Sequence, residues 1–127
     1  MTGSSCLLDT SIIIHSFKDT SIKKRFDSFA EIFVPSIVAG ELYFGVYRSA
    51  NPIKRLAEMQ AFLVNCTLLT VDAETGNCYG KIKTDLYAKG KPIPENDIWI
   101  AAVSIQHDLP LFTADKHFKE VQGIALV

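Results

Sequence analysis

Short apolar runs alternate along this chain with longer stretches of helical periodicity, and this alternation restricts the fold more than any other feature. The strand-like runs cover residues 5–8, 32–34, 67–71, 111–113 and 124–127. Between them, apolar residues recur every three or four positions, which is typical of helices that cover a sheet. The pattern predicts an α/β fold, a three-layer α/β/α sandwich with a mostly parallel central sheet.

The length favours one domain that spans residues 1–127. A chain of this size buries about two-thirds of the surface of its unfolded form and needs no disulfide. No apolar run approaches the ~20 residues of a membrane span. The stretch from Met1 to Ser5 lacks the basic residues of a signal peptide. We therefore expect a soluble, cytoplasmic protein.

The three cysteines do not indicate a metal site or a disulfide framework. Cys6, Cys66 and Cys78 are odd in number and include no closely spaced pair. Cys6 lies in an apolar run and Cys66 precedes another, so we expect both to fill the core. No activating base stands beside any of them in the sequence, which argues against a catalytic cysteine.

The charge gives only a local signal for nucleic acid. The net charge is −1, but basic residues cluster at 18–25 and 81–91, where they comprise Lys18, Lys23, Lys24, Arg25, Lys81, Lys83, Lys89 and Lys91. Such clusters are usually solvated helix faces. A modest phosphate-binding surface, with affinity that falls as salt rises, stays open as the alternative.

A predicted helix over residues 36–50 has two unusual features. Gly40 and Gly45 each cost roughly 1 kcal/mol in a helix interior, which favours close packing against another backbone. The same helix carries Tyr43, Phe44 and Tyr47, which we expect to be exposed and suited to a subunit interface.

Four acidic residues stand in similar apolar surroundings. Asp9 ends the first strand-like run, Glu41 lies within an apolar helix, Asp97 begins a helix, and Asp115 closely follows the run at 111–113. Each has an ordinary explanation when taken alone. The three aspartates stand where helix caps stand, and Glu41 could be an exposed glutamate.

Taken together, the four acids indicate a metal centre. In a parallel sheet, ligands bind at the carboxyl ends of the strands, where Asp9 and Asp115 are expected. Two carboxylates ~5 Å apart repel by about 3 kcal/mol at an effective dielectric near 20, so a cluster needs a cation or takes up protons. Oxygen ligands of this kind favour Mg²⁺, with Mn²⁺ possible.

Phosphoryl hydrolysis is the chemistry that suits such a site, because the cation polarises a phosphate oxygen and activates water. An acid that is not fully engaged by metal can orient or deprotonate the attacking water, and Glu41 is our candidate. The hydroxyls of Thr10 and Thr113 are candidates to fix the carboxylates by hydrogen bonds. Alone, both threonines are ordinary strand and cap residues.

Four motifs in this chain resemble those of the PIN domain, and most closely the VapC-type toxins of prokaryotic toxin–antitoxin pairs. They are Leu7-Leu8-Asp9-Thr10-Ser11, Glu41-Leu42-Tyr43-Phe44-Gly45, Asn96-Asp97-Ile98-Trp99-Ile100-Ala101-Ala102 and Thr113-Ala114-Asp115-Lys116-His117-Phe118. The resemblance covers essentially the whole chain in the order and spacing of the family.

The resemblance implies a Mg²⁺-dependent endoribonuclease. By position, Asp9 and Asp97 would be direct metal ligands, and Glu41 and Asp115 would complete a catalytic centre in which Asp115 also faces the metal. The family implies a homodimer that a VapB-type antitoxin neutralises through a segment in the active-site groove. It also implies structured RNA as substrate, often tRNA or rRNA.

Two other hypotheses stay open at this point. An aspartate-based phosphatase or phosphotransfer domain could use Asp9 or Asp72 as its phosphate acceptor, although the second acid expected near Asp9 is missing. A non-catalytic dimeric module, in which the acids only cap helices, would show no metal site at Asp9 or Asp97. We expect Trp99 to be a core residue and His117 to pack near Asp115 without acting as a general base.

Overall fold

The computed structural model describes residues 4–127. The N-terminal residues Met1 to Gly3, on which part of the signal-peptide argument depends, lie outside the described residues. The described residues form four strands, β1 (Ser5–Leu8), β2 (Glu31–Pro35), β3 (Thr67–Leu69) and β4 (Leu111–Phe112). They also form six α-helices and one 3₁₀ helix: α1 (Thr10–Ser16), α2 (Thr20–Asp27), α3 (Ser36–Tyr47), α4 (Pro52–Leu63), α5 (Ala73–Ala88), α6 (Glu95–Gln106) and the 3₁₀ helix Lys116–Glu120.

The four strands form one parallel sheet in the order β3-β2-β1-β4. β1 pairs with β2 through Cys6 opposite Ile32, and with β4 through Leu8 opposite Phe112. Because parallel neighbours need a crossover, each strand is connected to its partner through helices. The predicted α/β sandwich with a mostly parallel sheet is confirmed.

The core is made by the strands and by the apolar faces of the helices that cover them. Leu7 and Leu8 are fully buried in β1, Val38 in α3, and Ala101 in α6. The central strand β1 and its neighbour β4 are buried, as expected for a sheet between two helical layers, whereas the edge strand β3 is partly exposed. This packing fixes the positions of the strand ends, and two of the candidate acids, Asp9 and Asp115, follow the ends of β1 and β4.

Two local predictions are wrong. The last run forms no strand, because only Leu126 bridges to Leu111 beside β4. Gly40 and Gly45 are not in close backbone contact, since a Cβ at either position would meet nothing within 4 Å. The glycine-bearing side of α3 is therefore open, and α3 exposes Phe44 and Tyr47 at 62% and 65% of their surfaces.

None of the helices formed by residues 4–127 combines the length and the apolar character that crossing a membrane requires.

Candidate metal centre

The paired strands β1 and β4 bring Asp9 and Asp115 to the same edge of the sheet. Asp9 directly follows β1, and its backbone N–H donates to the carbonyl of Phe112 at the end of β4, at 3.4 Å. Asp115 stands three residues after Phe112, at the start of the 3₁₀ helix. Both acids therefore follow the carboxyl ends of strands, as predicted, and the structure adds that these two strands are neighbours.

The first turn of α6 brings Asp97 to the same edge. Pro94 precedes the helix, and the backbone N–H of Asp97 donates to its carbonyl at 3.0 Å. A negative side chain in the first turn is favoured by the helix dipole. The carboxylate of Asp97 contacts the His117 ring, with Oδ2 3.2 Å from Nδ1, so the helix end meets the segment that follows β4.

Two polar side chains hold the Glu41 carboxylate next to this edge. The Thr10 hydroxyl donates to Oε1 at 2.6 Å, and the Asn96 amide donates to Oε2 at 3.5 Å. Thr10 adjoins Asp9 and Asn96 adjoins Asp97 in the sequence. Glu41 is therefore fixed between the residues that flank two of the other acids, although it lies on α3, a different helix.

Hydroxyl groups surround the buried carboxylate of Asp9, which is only 3% exposed. Thr113 donates to Oδ2 at 2.6 Å, and Ser11 donates to Oδ1 at 2.9 Å. The Thr113 hydroxyl also accepts from the backbone N–H of Asp115 at 2.9 Å. One threonine therefore connects two of the acids and fixes the loop after β4 against β1.

The pKa values of two acids are raised. Burial raises the pKa of Asp97 from 3.8 to about 6, and repulsion from Asp115 and Asp9 adds to the rise, while the hydrogen bond from His117 opposes it. Burial likewise raises the pKa of Asp9, with repulsion from Asp115 as a smaller cause. The direction of both shifts agrees with the tendency expected of clustered acids, but desolvation exceeds mutual repulsion as the cause.

The residues present fit a divalent cation. One ligand atom from each of Asp97, Asp115 and His117 lies within 4.8 Å of the other two. The His117 Nδ1 atom is 3.0 Å from Oδ1 of Asp115. The pKa of Asp97 is raised beside Asp115, and a cation that offsets the negative charge would stabilise the ionised form of Asp97. Asp9 adjoins this group, and Glu41 stands outside it.

The capping hypothesis holds for two of the three aspartates. Asp9 caps α1 by accepting from the Ile12 N–H at 3.1 Å, and Asp115 caps the 3₁₀ helix by accepting from the His117 N–H at 2.9 Å. Asp97 is not a cap, since Pro94 occupies that position and makes no side-chain hydrogen bond. Capping therefore does not explain the convergence of Asp97 with the others.

Two polar residues at the site were not assigned to it from the sequence. Ser11 donates to Asp9, and Asn96 donates to Glu41. Each lies one or two residues from an acid, so adjacency was the available signal. His117, which the sequence analysis expects near Asp115, contacts Asp115 and also Asp97. The roles proposed for Thr10 and Thr113 as hydrogen-bond donors to the acids agree with the structure.

An apolar groove of about 380 Å³ begins beside Glu41, between α1, α3 and α4. Ile14 and Phe17 of the α1 region line one side, and both are more than 40% exposed. Lys18 and Arg55 also line the groove.

Several residues singled out in the sequence have structural roles. Lys83 pairs with Glu95 and Lys89 pairs with Asp85, which weakens the case for a phosphate-binding surface in that cluster. Trp99 is half-buried and stacks on Tyr79 with ring centroids 4.0 Å apart, so it packs α6 against α5.

Burial makes the thiols of Cys6 and Cys66, the two cysteines predicted to fill the core, poorly reactive. It raises the pKa of the Cys6 thiol to about 12 and that of the Cys66 thiol to about 11. Both thiols therefore stay protonated at neutral pH, and a protonated thiol is a poor nucleophile.

Comparisons with known proteins agree on one family. The PIN domain profile matches residues 6–124. The chain is 38% identical over 99 residues to ribonuclease VapC2 of Haemophilus influenzae, which covers 76% of this chain and 75% of that protein. It is 33% identical to ribonuclease VapC1 of Rickettsia felis, over 95% and 93% of the two chains.

Two further matches cover nearly the whole chain. The tRNA(fMet)-specific endonuclease VapC of Shigella flexneri is 28% identical over 93% of this chain and 92% of its own. Among solved structures, a chain of VapBC2 from Rickettsia felis, crystallised with a DNA fragment from their promoter, superposes with a TM-score of 0.92. That chain is 26% identical, and the match covers 97% of both chains.

Proposed function

The chain belongs to the PIN domain family, and from that premise we propose that it is a Mg²⁺-dependent endoribonuclease, the toxin of a VapBC-type toxin–antitoxin pair. The observation that carries the proposal is the convergence of Asp97 and Asp115, within 4.8 Å in their ligand atoms, at the sheet edge where Asp9 also lies. The relatives named ribonuclease VapC support the reaction class, and residues 1–127 would form the single nuclease domain.

Asp9, Asp97 and Asp115 are the residues that would hold the metal. A bound divalent cation supplies positive charge that polarises the scissile phosphate and makes a water molecule more acidic. Thr113 and Ser11 fix the orientation of the Asp9 carboxylate by donating hydrogen bonds to it. This support restricts the carboxylate to one geometry, as the hydrogen-bonded surroundings of metal ligands commonly do.

Glu41 would orient the attacking water and accept its proton. Thr10 and Asn96 position its carboxylate, and it lies outside the group formed by Asp97, Asp115 and His117. A carboxylate that is held near a cation without being fully engaged by it can serve as a general base. Mutation of Glu41 should therefore lower the rate more than it lowers metal affinity.

We propose structured RNA, with tRNA as the first candidate, as the substrate. The support is the Shigella flexneri relative, which is named a tRNA(fMet)-specific endonuclease. Metal charge would offset the repulsion between phosphate and the acids. The net charge of the chain is −1, which agrees with selective recognition of an RNA more than with tight binding to any RNA.

A VapB-type antitoxin would be the regulatory partner, and a second copy of this chain the structural one. The apolar groove that starts at Glu41 is suited to an antitoxin segment, which would cover the acids. The similar solved chain comes from a VapBC2 complex. Phe44 and Tyr47 on the open side of α3 are candidates for the dimer interface, whereas Tyr43 is half-buried.

RNA cleavage by the antitoxin-free protein tests the proposal. A labelled tRNA pool is incubated with Mg²⁺ and with EDTA, using wild type, Asp97→Asn and the exposed control Asp72→Asn. We expect discrete fragments that require Mg²⁺, a loss of at least ~100-fold in Asp97→Asn, and rates within about twofold of wild type in Asp72→Asn. Cleavage that survives EDTA or the Asp97→Asn change would contradict the proposal.

A further inference from the structure

His117 is the one residue of the site that the resemblance does not assign and that the chemistry described so far does not use. Its Nδ1 atom lies 3.2 Å from Oδ2 of Asp97 and 3.0 Å from Oδ1 of Asp115. Nδ1 is therefore the atom that the two acids share. The ring itself is half exposed, at 50% of its side-chain surface, whereas Asp97 is only 16% exposed.

The separations of these atoms match those of ligands around one cation. In an octahedral site with bonds of about 2.1 Å, neighbouring ligand atoms lie about 3 Å apart, which follows from the right angle between the bonds. The two nitrogen–oxygen separations, 3.0 and 3.2 Å, agree with that value. The three ligand atoms are also mutually within 4.8 Å. A cation could therefore contact all three without a change of backbone.

We propose that His117 is a nitrogen ligand of the catalytic metal and that it makes the site prefer Mn²⁺ over Mg²⁺. This inference rests on the proposed function, because it assumes that Asp97 and Asp115 hold a divalent cation. Mg²⁺ favours oxygen ligands, and imidazole adds more to the binding of transition metals. One nitrogen among carboxylate oxygens shifts the preference without excluding Mg²⁺.

The competing interpretation is that His117 only donates a hydrogen bond and positions the two carboxylates. In that case the ring would not touch the metal, and its removal would weaken Mg²⁺ and Mn²⁺ binding by the same factor. Metal preference and direct nitrogen contact therefore distinguish ligation from positioning. Activity alone does not distinguish them, since both roles support catalysis.

Pulsed electron paramagnetic resonance on the Mn²⁺ complex measures nitrogen contact directly. The proteins are wild type, His117→Gln and His117→Asn, with His107→Gln as a matched control at the exposed end of α6. We expect the ¹⁴N coupling of an imidazole in wild type and in His107→Gln, and its loss in both His117 variants. Circular dichroism of each variant verifies that the fold is retained.

Calorimetric titration with each metal alone measures the preference. Replacement of His117 by Gln should weaken Mn²⁺ binding by roughly tenfold or more and Mg²⁺ binding by less than about threefold. Equal losses for both metals, or a ¹⁴N signal absent from wild type or retained in the variants, would overturn the inference. If the inference about His117 fails but Mg²⁺-dependent RNA cleavage persists, the proposed function stands. If neither Mg²⁺ nor Mn²⁺ binds to wild type, both the inference and the proposed function are contradicted.

Discussion

Asp72 and Asp97 stand at the amino ends of neighbouring helices, α5 and α6, but their surroundings have opposite effects. The Asp72 carboxylate accepts from the Thr75 N–H and hydroxyl, both at 3.0 Å, and from the Gln106 amide at 2.9 Å. These hydrogen bonds lower its pKa, with the Thr75 N–H as the largest cause. Asp97 instead is partly buried beside other acids, and its pKa rises to about 6.

The comparison shows that the charge of Asp72 stabilises the fold, whereas the charge of Asp97 is unfavourable in its surroundings. Donors around Asp72 stabilise its charge and connect the start of α5 to the end of α6. Around Asp97, desolvation and the charges of Asp115 and Asp9 disfavour ionisation. A group held in an unfavourable charge state is a common sign of a functional site, and the proposed cation would offset the charge of Asp97.

Loss of the helix cap at Asp72 is expected to lower the stability of the fold. Asp72→Ala removes the cap of α5 and leaves the buried hydroxyl of Thr75 without its carboxylate partner, so the melting temperature should fall by about 4 °C. Asp72→Asn should retain most of the stability, because asparagine caps as well as aspartate. Thermal unfolding in EDTA measures both. Equal melting temperatures for wild type and Asp72→Ala would contradict the capping role.

The pH dependence of stability should have opposite signs at the two acids. Because the pKa of Asp97 is raised, the folded protein retains a proton between about pH 4 and 6 that the unfolded chain has lost. Its stability without metal should therefore fall as pH rises through that window, by at most about 1.4 kcal/mol per pH unit for one proton. Asp97→Asn should remove this loss. The stabilisation from Asp72 is instead present above pH 4 and is lost as the pH falls below that value.

Chemical denaturation in EDTA at several pH values from 3 to 8 tests this sign reversal. The difference in unfolding free energy between Asp97→Asn and wild type should grow from pH 4 to 6 and then stay constant. A difference that is independent of pH would show that Asp97 is not desolvated as described.

The order of strands and helices could be predicted from the sequence because each is encoded by a local pattern. Apolar periodicity predicts a strand that ends at Asp9 and a helix after it, and the structure has β1 and α1 at these positions. The prediction of a strand at residues 124–127 is wrong because apolar composition alone does not ensure that a segment pairs along its length with a neighbouring strand. Pairing there is limited to one bridge between Leu126 and Leu111, with backbone hydrogen bonds from Leu111 to Ala125 and from Val127 to Leu111.

The four acids of the candidate site and the hydroxyl donors Thr10 and Thr113 could be predicted from the sequence, whereas the contact made by Asn96 could not. Asp9 and Asp115 follow strands, and strand ends are readable from the sequence. The contact between Asn96 and Glu41 joins residues 55 positions apart, so it depends on how α3 packs beside α6. The position of His117 between Asp97 and Asp115 likewise depends on the turn that begins the 3₁₀ helix.

Calorimetric titration of Mg²⁺ into the antitoxin-free protein at pH 7 tests the central claim most directly, with Asp97→Asn and Asp72→Asn beside wild type. The account predicts that wild type and Asp72→Asn bind Mg²⁺ with equal affinity and that Asp97→Asn binds it at least about tenfold more weakly. Equal binding by all three proteins, or binding by none, would contradict the claim that the acids at this sheet edge form a metal centre.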